Sequence, residues 1–275
     1  MTSHSDAVTV HDRWVDTPSG RLFTRTWQPR HARSAVPILL FHDSLGCVEL
    51  WRSFPAALCQ ATQHPVVAYD RAGFGRSDAR LAKPPHTFIE DEYRQAVAAL
   101  LEALAITHFI ALGHSVGGCM AVHCAGQQPE RCRGLITIAA QAFNEPRTRQ
   151  GIEAAKEAFQ QPDQFAKLAK YHGDNARWVL DAWIDTWLHP DFAEWTLVPA
   201  LERVQCPTLV LHGERDEYGS HRQPERIARY THGPAHCDIL PGVGHVPHRE
   251  AESTVVALIE EFVARLTLEV SVTNA

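Results

Sequence analysis

The chain of 275 residues is 45% hydrophobic and 21% charged, which excludes a disordered polyelectrolyte and a bundle of membrane helices and fits one or two globular domains. Its 26 Lys and Arg against 32 Asp and Glu leave a net charge of −6, with no basic block to neutralise a run of phosphates, so no nucleic-acid partner is expected. Seven scattered cysteines (Cys47, Cys59, Cys119, Cys124, Cys132, Cys206 and Cys237) include no Cys-x-x-Cys pair, as suits reduced thiols in a cytoplasm.

At the N-terminus, residues 1–12 lack the basic and apolar regions of a signal peptide. The longest apolar run, 35–41, contains Pro37 and is too short to cross a bilayer, so a soluble, cytoplasmic chain with no membrane partner is expected. Five short apolar runs ended by turn residues, at 37–41, 65–69, 109–112, 135–138 and 208–211, read as buried strands of a parallel sheet. Between the second and third, Thr87 with Glu90 three residues on reads as a capping box, and Tyr93, Val97, Leu100, Leu101 and Leu104 share one helical face. Residues 141–203 break the alternation: they are helical, rich in Trp and punctuated by Pro146, Pro162, Pro190 and Pro199. A last strand at 237–240 precedes a last helix with Val255, Ile259, Phe262, Val263 and Leu266 inward and Glu260, Glu261 and Arg265 outward. The tail at 267–275, where Leu268, Val270 and Val272 alternate with polar residues, reads as a frayed terminus rather than an added edge strand. A core of 1–140 and 204–275 with a helical insertion at 141–203 follows.

Gly113-His114-Ser115-Val116-Gly117 stands between the strand at 109–112 and a helical run at 118–125. So tight a turn from strand into helix needs small residues beside the serine and lifts its hydroxyl clear of the sheet at the positive helix end, which points to a nucleophile at Ser115. A serine attacks only when an imidazole removes its proton. Among 17 histidines, His245 stands in the loop between the last strand and the last helix, where the carboxyl ends of the strands converge. His248 is its local competitor, read otherwise as a surface residue at a helix start, while His114 and His212 are read as structural. The imidazole in turn needs a carboxylate just after another central strand. Asp216, three residues past Gly213, is favoured over the neighbouring Glu214 and Glu217, giving the chain order Ser115, Asp216, His245.

With these residues in place, the sequence resembles the α/β-hydrolase superfamily of serine hydrolases over nearly its whole length. Tyr69-Asp-Arg-Ala-Gly-Phe-Gly-Arg-Ser-Asp78 is similar to the turn after that family's fourth strand, and Cys206-Pro-Thr-Leu-Val-Leu-His-Gly213 to its seventh; Gly73-x-Gly75 lacks the third glycine of a dinucleotide site. The resemblance implies an α/β fold: a mostly parallel central sheet flanked by helices, with a helical cap between the sixth and seventh strands. It implies an oxyanion hole as well, with one backbone N–H from Ser44, in Phe41-His42-Asp43-Ser44-Leu45-Gly46, and one from Val116. Asp43 departs from the family's usual glycine, and its carboxylate either disfavours a nearby oxyanion or turns away to bond its own turn. The cap and Val204-Gln-Cys-Pro-Thr-Leu look most like the valacyclovir-hydrolase and small-esterase branch, which reads a substrate ammonium with an aspartate where Val116 stands. Asp43, Asp174, Asp181 and Asp185 are the carboxylates that could take over that role.

The expected activity is therefore cofactor-independent hydrolysis, without a metal, of the carboxylic ester of a small, neutral, hydrophobic or aromatic molecule through an acyl-enzyme. His245-x-x-His248 has no further ligands at metal-site spacing. Four tryptophans (Trp178, Trp183, Trp187 and Trp195) fall in the insertion, and Asp43, Phe143, Trp183 and Trp187 are the candidate substrate contacts. Two other readings stay open on the same fold: a ligand receptor or signalling protein with slow turnover, and a cofactorless oxygenase or perhydrolase using the same triad.

Overall fold

A run of apolar residues becomes a central strand when both of its faces can be covered, and this chain covers them. The structure, a computed structural model, describes residues 8–273. Strands β1 (Thr9–Thr17) and β2 (Gly20–Gln28) are followed by β3 (Ile38–Phe41), β4 (Val66–Tyr69), β5 (Phe109–His114), β6 (Cys132–Ile138), β7 (Thr208–Gly213) and β8 (Ala235–Leu240). They form one sheet in the order β1-β2-β4-β3-β5-β6-β7-β8. The β1–β2 and β2–β4 pairs are antiparallel and the rest parallel.

Helices α1 (Phe54–Thr62), α2 (Phe88–Glu92), α3 (Ala98–Ala103), α4 (Val116–Gln127), α5 (Pro146–Ala158), α6 (Pro162–His172), α7 (Ala176–Trp187), α8 (Val198–Leu201), α9 (Arg222–Tyr230), α10 (Pro247–Glu250) and α11 (Glu252–Thr273) complete the fold. The two-residue period of the strands divides the core. Leu39, Phe41, Val67, Tyr69, Ala111 and Leu135 pack with Val97, Leu100 and Met120 on one face. Ile38, Leu40, Val66, Ala68, Ile110 and Ile136 pack with Phe54, Leu58, Val255, Ile259 and Val263 on the other. Each large aliphatic side chain so buried contributes about 1.5–3 kcal/mol. Helices α5 to α8 lie between β6 and β7 and form a cap.

Three features differ from the sequence reading. The β1–β2 hairpin carries no hydrophobic signal because, of the nine residues of β1, Val15 alone is buried. Thr87 forms no capping box: its hydroxyl donates to Asp91 Oδ2 at 2.5 Å, and a π-turn at Tyr93–Val97 joins α2 to α3. The tail does not fray after Leu266, since α11 runs to Thr273 without a Gly or Pro to stop a helix whose extension is cheaper than its nucleation. Residues 1–7 and 274–275 lie outside the described residues.

Candidate active site

The turn between β5 and α4 is set by steric demand. A Cβ at Gly113 would lie 2.1 Å from the Gly117 carbonyl, and one at Gly117 would lie 2.1 Å from the Phe41 carbonyl of β3, so glycine is required on both sides of the serine. Ser115 adopts φ 54° and ψ −126°, a conformation that side chains rarely take and that active sites retain, and its N–H is fixed to the Ile138 carbonyl at 2.9 Å.

Two loops from neighbouring strand ends converge on this serine. His245, after β8, places Nε2 3.1 Å from Ser115 Oγ, and its Nδ1–H donates to Asp216 at 2.8 and 2.9 Å. Asp216, after β7, also accepts the N–H groups of Tyr218 and Gly219 through Oδ1 at 2.8 and 3.0 Å. The ring is therefore held in the tautomer that leaves Nε2 free to accept the serine proton. Burial works against a charged His245, but the Asp216 carboxylate and its hydrogen bond outweigh burial and raise the ring above its ordinary value. Burial likewise opposes ionisation of Asp216, and the His245 ring overcomes it and lowers the carboxyl.

The loop expected from the sequence to supply an oxyanion N–H, that of Ser44, follows β3. Its Asp43 carbonyl accepts His42 Nδ1–H at 2.8 Å and Arg71 Nη2–H at 2.9 Å, while His42 Nε2 accepts the Arg71 N–H at 3.1 Å. In a trans peptide the N–H of Ser44 then points the opposite way. The N–H of Val116 stands at the first position of α4, where helix N–H groups have no intrahelical acceptor. The Asp43 side chain folds over its own turn: Oδ1 accepts the Leu45 N–H at 2.9 Å and Oδ2 lies 3.3 Å from His114 Nδ1. This is the second of the two orientations considered from sequence. Gly46 makes room for it, since a Cβ there would come within 2.8 Å of Oδ2.

His248 is not a surface residue. It is 2% exposed, with its ring against Trp51, Phe54 and His114 at centroid distances of 4.8, 5.4 and 4.6 Å. Burial, in first place, holds it well below the ordinary histidine value. His212 is buried behind Asp216 and donates to the Gly219 carbonyl at 3.2 Å.

A cavity of about 280 Å³ opens onto Ser115 and His245, lined among others by Asp43, Ile152, Trp183, Trp187 and Tyr218. Ser44, Trp183 and Trp187 also line a narrower pocket of about 60 Å³, which reaches Val116 and the buried Arg71. Phe143 is not part of either lining; its ring lies under Arg222 and Arg226, 5.2 and 4.7 Å away. Asp174 is exposed in the turn between α6 and α7, Asp181 lies 3.8 Å from Arg177 and Asp185 2.7 Å from Lys83, so of the four aspartates named from sequence Asp43 alone lines the Ser115 cavity. Sequence reasoning missed Tyr218, whose ring lies 4.7 Å from His245, and Arg71; neither stands in a periodic pattern, and proximity to Asp216 is the signal that could have found Tyr218.

The cap is tied to this centre by polar contacts. Buried Glu145 accepts the N–H and hydroxyl of Ser220 and Nε2–H of Gln223, at 2.7, 2.9 and 2.8 Å. Thr148 donates to the Tyr218 carbonyl at 2.7 Å. His172 accepts the Gly75 N–H at 2.9 Å and donates to the Leu45 carbonyl at 3.0 Å. As for metals, the exposed residues His86, before α2, and His189 and Asp191, after α7, bring ligand atoms within 4.8 Å of one another, outside the cavity lining.

Comparison with known proteins agrees with this fold. A family model described as alpha/beta hydrolase fold matches residues 36–251. The serine hydrolase BPHL of Mus musculus is 26% identical over 207 residues, covering 72% of this chain and 68% of that protein. A (lyso)-N-acylphosphatidylethanolamine lipase of Bos taurus is 30% identical over 127 residues, 46% of this chain, and the match spans only 36% of the lipase. Among solved structures, the proline iminopeptidase of Mycobacterium smegmatis superposes with a TM-score of 0.72 at 19% identity over 94% of this chain and 100% of its own. The enol-lactonase of Burkholderia xenovorans superposes with a TM-score of 0.70 at 20% identity over 92% and 100%.

Proposed function

The chain belongs to the alpha/beta hydrolase fold family, and from that premise we propose that it is a serine hydrolase that cleaves a carboxylic ester through an acyl-enzyme. The observation that carries this reading is the continuous hydrogen-bonded line from Ser115 Oγ through His245 to Asp216. Ser115 Oγ bonds to the ester carbonyl carbon as its proton passes to His245 Nε2, and the carbonyl oxygen takes up the negative charge between the Ser44 and Val116 N–H groups. Collapse breaks the ester C–O bond, and His245 returns the proton to the departing alcohol. A water then attacks the acyl carbon, loses its proton to His245 and releases the acid and free Ser115.

The apolar cavity supports a small substrate with an aromatic or medium aliphatic group packed against Trp183, Trp187, Tyr218 and Ile152. Asp43 supports turnover rather than a receptor role, because its carboxylate is engaged by Leu45 and His114.

A fluorophosphonate probe with intact-mass readout tests the proposal. One adduct, mapping to Ser115 and absent from Ser115→Ala, is expected, followed by turnover of a panel of aryl and alkyl esters. Labelling at any other residue overturns the assignment.

A further inference from the structure

Three histidines surround the oxyanion loop, and their partners fix their protons. His42 donates from Nδ1 to a carbonyl and accepts the Arg71 N–H at Nε2, so it carries one ring proton. His172 accepts the Gly75 N–H at Nδ1 and donates from Nε2 to the Leu45 carbonyl, so it too carries one. Burial lowers both below their ordinary values, which agrees with neutral rings. His114 differs. Its Nε2 lies 2.8 Å from the carbonyl oxygen of His245, which can only accept, and its Nδ1 faces the Asp43 carboxylate, which when ionised can also only accept.

We infer that His114 carries a proton on both ring nitrogens and forms with Asp43 an ion pair that joins the oxyanion loop, the nucleophile turn and the His245 loop. His114 belongs by its backbone to the turn that holds Ser115, reaches the His245 loop through Nε2 and the Asp43 carboxylate through Nδ1, and that carboxylate in turn accepts the Leu45 N–H on the far side of Ser44. Asp43 and His114 are thus positioning residues: one ring fixes the distance between the oxyanion N–H of Ser44 and the base. The pair also accounts for a carboxylate where the family usually has glycine, because its charge is matched beside the site rather than opposed to the oxyanion.

The surroundings permit the charge. His245 and His248 face the His114 ring at 5.1 and 4.6 Å. Burial keeps His248 neutral, and His245 is required in its neutral form to take the serine proton. The further charged groups on the cavity lining are Glu217 and Arg249. Asp43 is held ionised: burial opposes this, but the His114 hydrogen bond and charge and the Leu45 N–H lower its carboxyl far below the carboxylate range.

The kinetic part of this inference rests on the serine hydrolase reading; the proton count does not. Protein labelled with ¹⁵N-histidine, studied by long-range ¹H–¹⁵N correlation at pH 7 and assigned with His114→Gln, is expected to show two protonated nitrogens for His114 and one each for His42 and His172. Asp43→Asn provides the decisive variant. Its Oδ1 still accepts from Leu45, and its Nδ2–H donates to the bare Nδ1 of a ring protonated only at Nε2, so the count for His114 drops to one while kcat stays above that of Asp43→Leu. Asp43→Leu, which offers Nδ1 nothing, is expected to lower kcat on the order of ten- to a hundredfold with KM within about threefold, somewhat less than the loss of a whole oxyanion donor. A single protonated nitrogen on His114 in the parent overturns the inference, as does an Asp43→Asn variant that folds and is as slow as Asp43→Leu. Two ring protons in a protein that turns over no ester would leave the pair standing and sink the hydrolase reading.

Discussion

Ser115 is flanked by two carboxylate–histidine pairs, and they differ in what the second ring nitrogen meets. In Asp216–His245 the carboxylate is completely buried and takes two backbone N–H groups, and the far nitrogen of the ring meets the serine hydroxyl, a group that can give up a proton. In Asp43–His114 the carboxylate is partly open to the cavity, 28% exposed, and the far nitrogen meets a backbone carbonyl, which has no proton to give. On the proposed reading, the same two side-chain types therefore make a base on one side of the serine and a clamp on the other. Partner chemistry at one atom decides the role.

The sharpest way to break this comparison is to remove the acceptor–donor line on the Asp216 side. Ser115→Ala is expected to fold normally and lose roughly a thousandfold or more of kcat, because members of a triad act as a unit. Asp216→Asn should come close to the same loss, since an amide in place of the carboxylate favours the wrong His245 tautomer. Single-turnover measurements on both variants check this, and the comparison collapses if Asp216→Asn retains even a tenth of the activity. Nothing of that size is expected from the Asp43 variants.

The Asp216–His245 half was legible in the sequence because Ser115 and Asp216 follow the buried strands β5 and β7, which announce themselves as apolar runs, and His245 stands in the loop between the last strand and the last helix. Tight turns made of glycine then left few places for the serine. The Asp43–His114 half was not legible. A histidine between Gly113 and Ser115 has no periodicity to show its direction, and its two partners lie 71 and 131 residues away, on loops that only the closed sheet brings together. His248 misled for a related reason, since three residues from His245 at a helix start suggests solvent until α10 is seen beneath Trp51 and Phe54. Phe143, a candidate substrate contact from the sequence, instead has its face covered by the arginines of α9.

A second test asks whether Asp43 is free to serve substrate. If His114 holds it, a substrate ammonium finds no ready carboxylate deep in the cavity, and Val116 offers none. A phenylpropionate ester is then preferred over the phenylalanine ester of the same alcohol by about ten- to a hundredfold in kcat/KM, the consequence of desolvating an unpaired cation at about 1 to 3 kcal/mol. Equal or better turnover of the amino-acyl ester would show that Asp43, or Glu217 on the same lining, accepts the ammonium group.

A smaller effect lies in the pH dependence. His245 acts as base in its neutral form, so activity is present above its pKa and falls as the pH drops through it. Because Asp216 raises that pKa, the midpoint of the acid limb of kcat/KM should lie above the ordinary histidine value of about 6.5. A midpoint below that value would mean that burial, not Asp216, governs the ring.

The smallest kinetic effect is expected at His248, the residue that competes with His245 in sequence. Among the described residues it makes no hydrogen bond to Ser115 or Asp216 and its Nδ1 has no hydrogen-bond partner, and its ring fills the space between Trp51, Phe54 and His114. His248→Ala should therefore act through packing: kcat/KM within about threefold of the parent, and stability lower by about 2 kcal/mol for the cavity left behind. Urea unfolding measures the second quantity and ester hydrolysis the first. His245→Ala should show the reverse, with most of the activity lost. A His248→Ala variant that keeps its stability and loses its turnover would exchange the two histidines' roles, and with them the side of Ser115 on which the base is built.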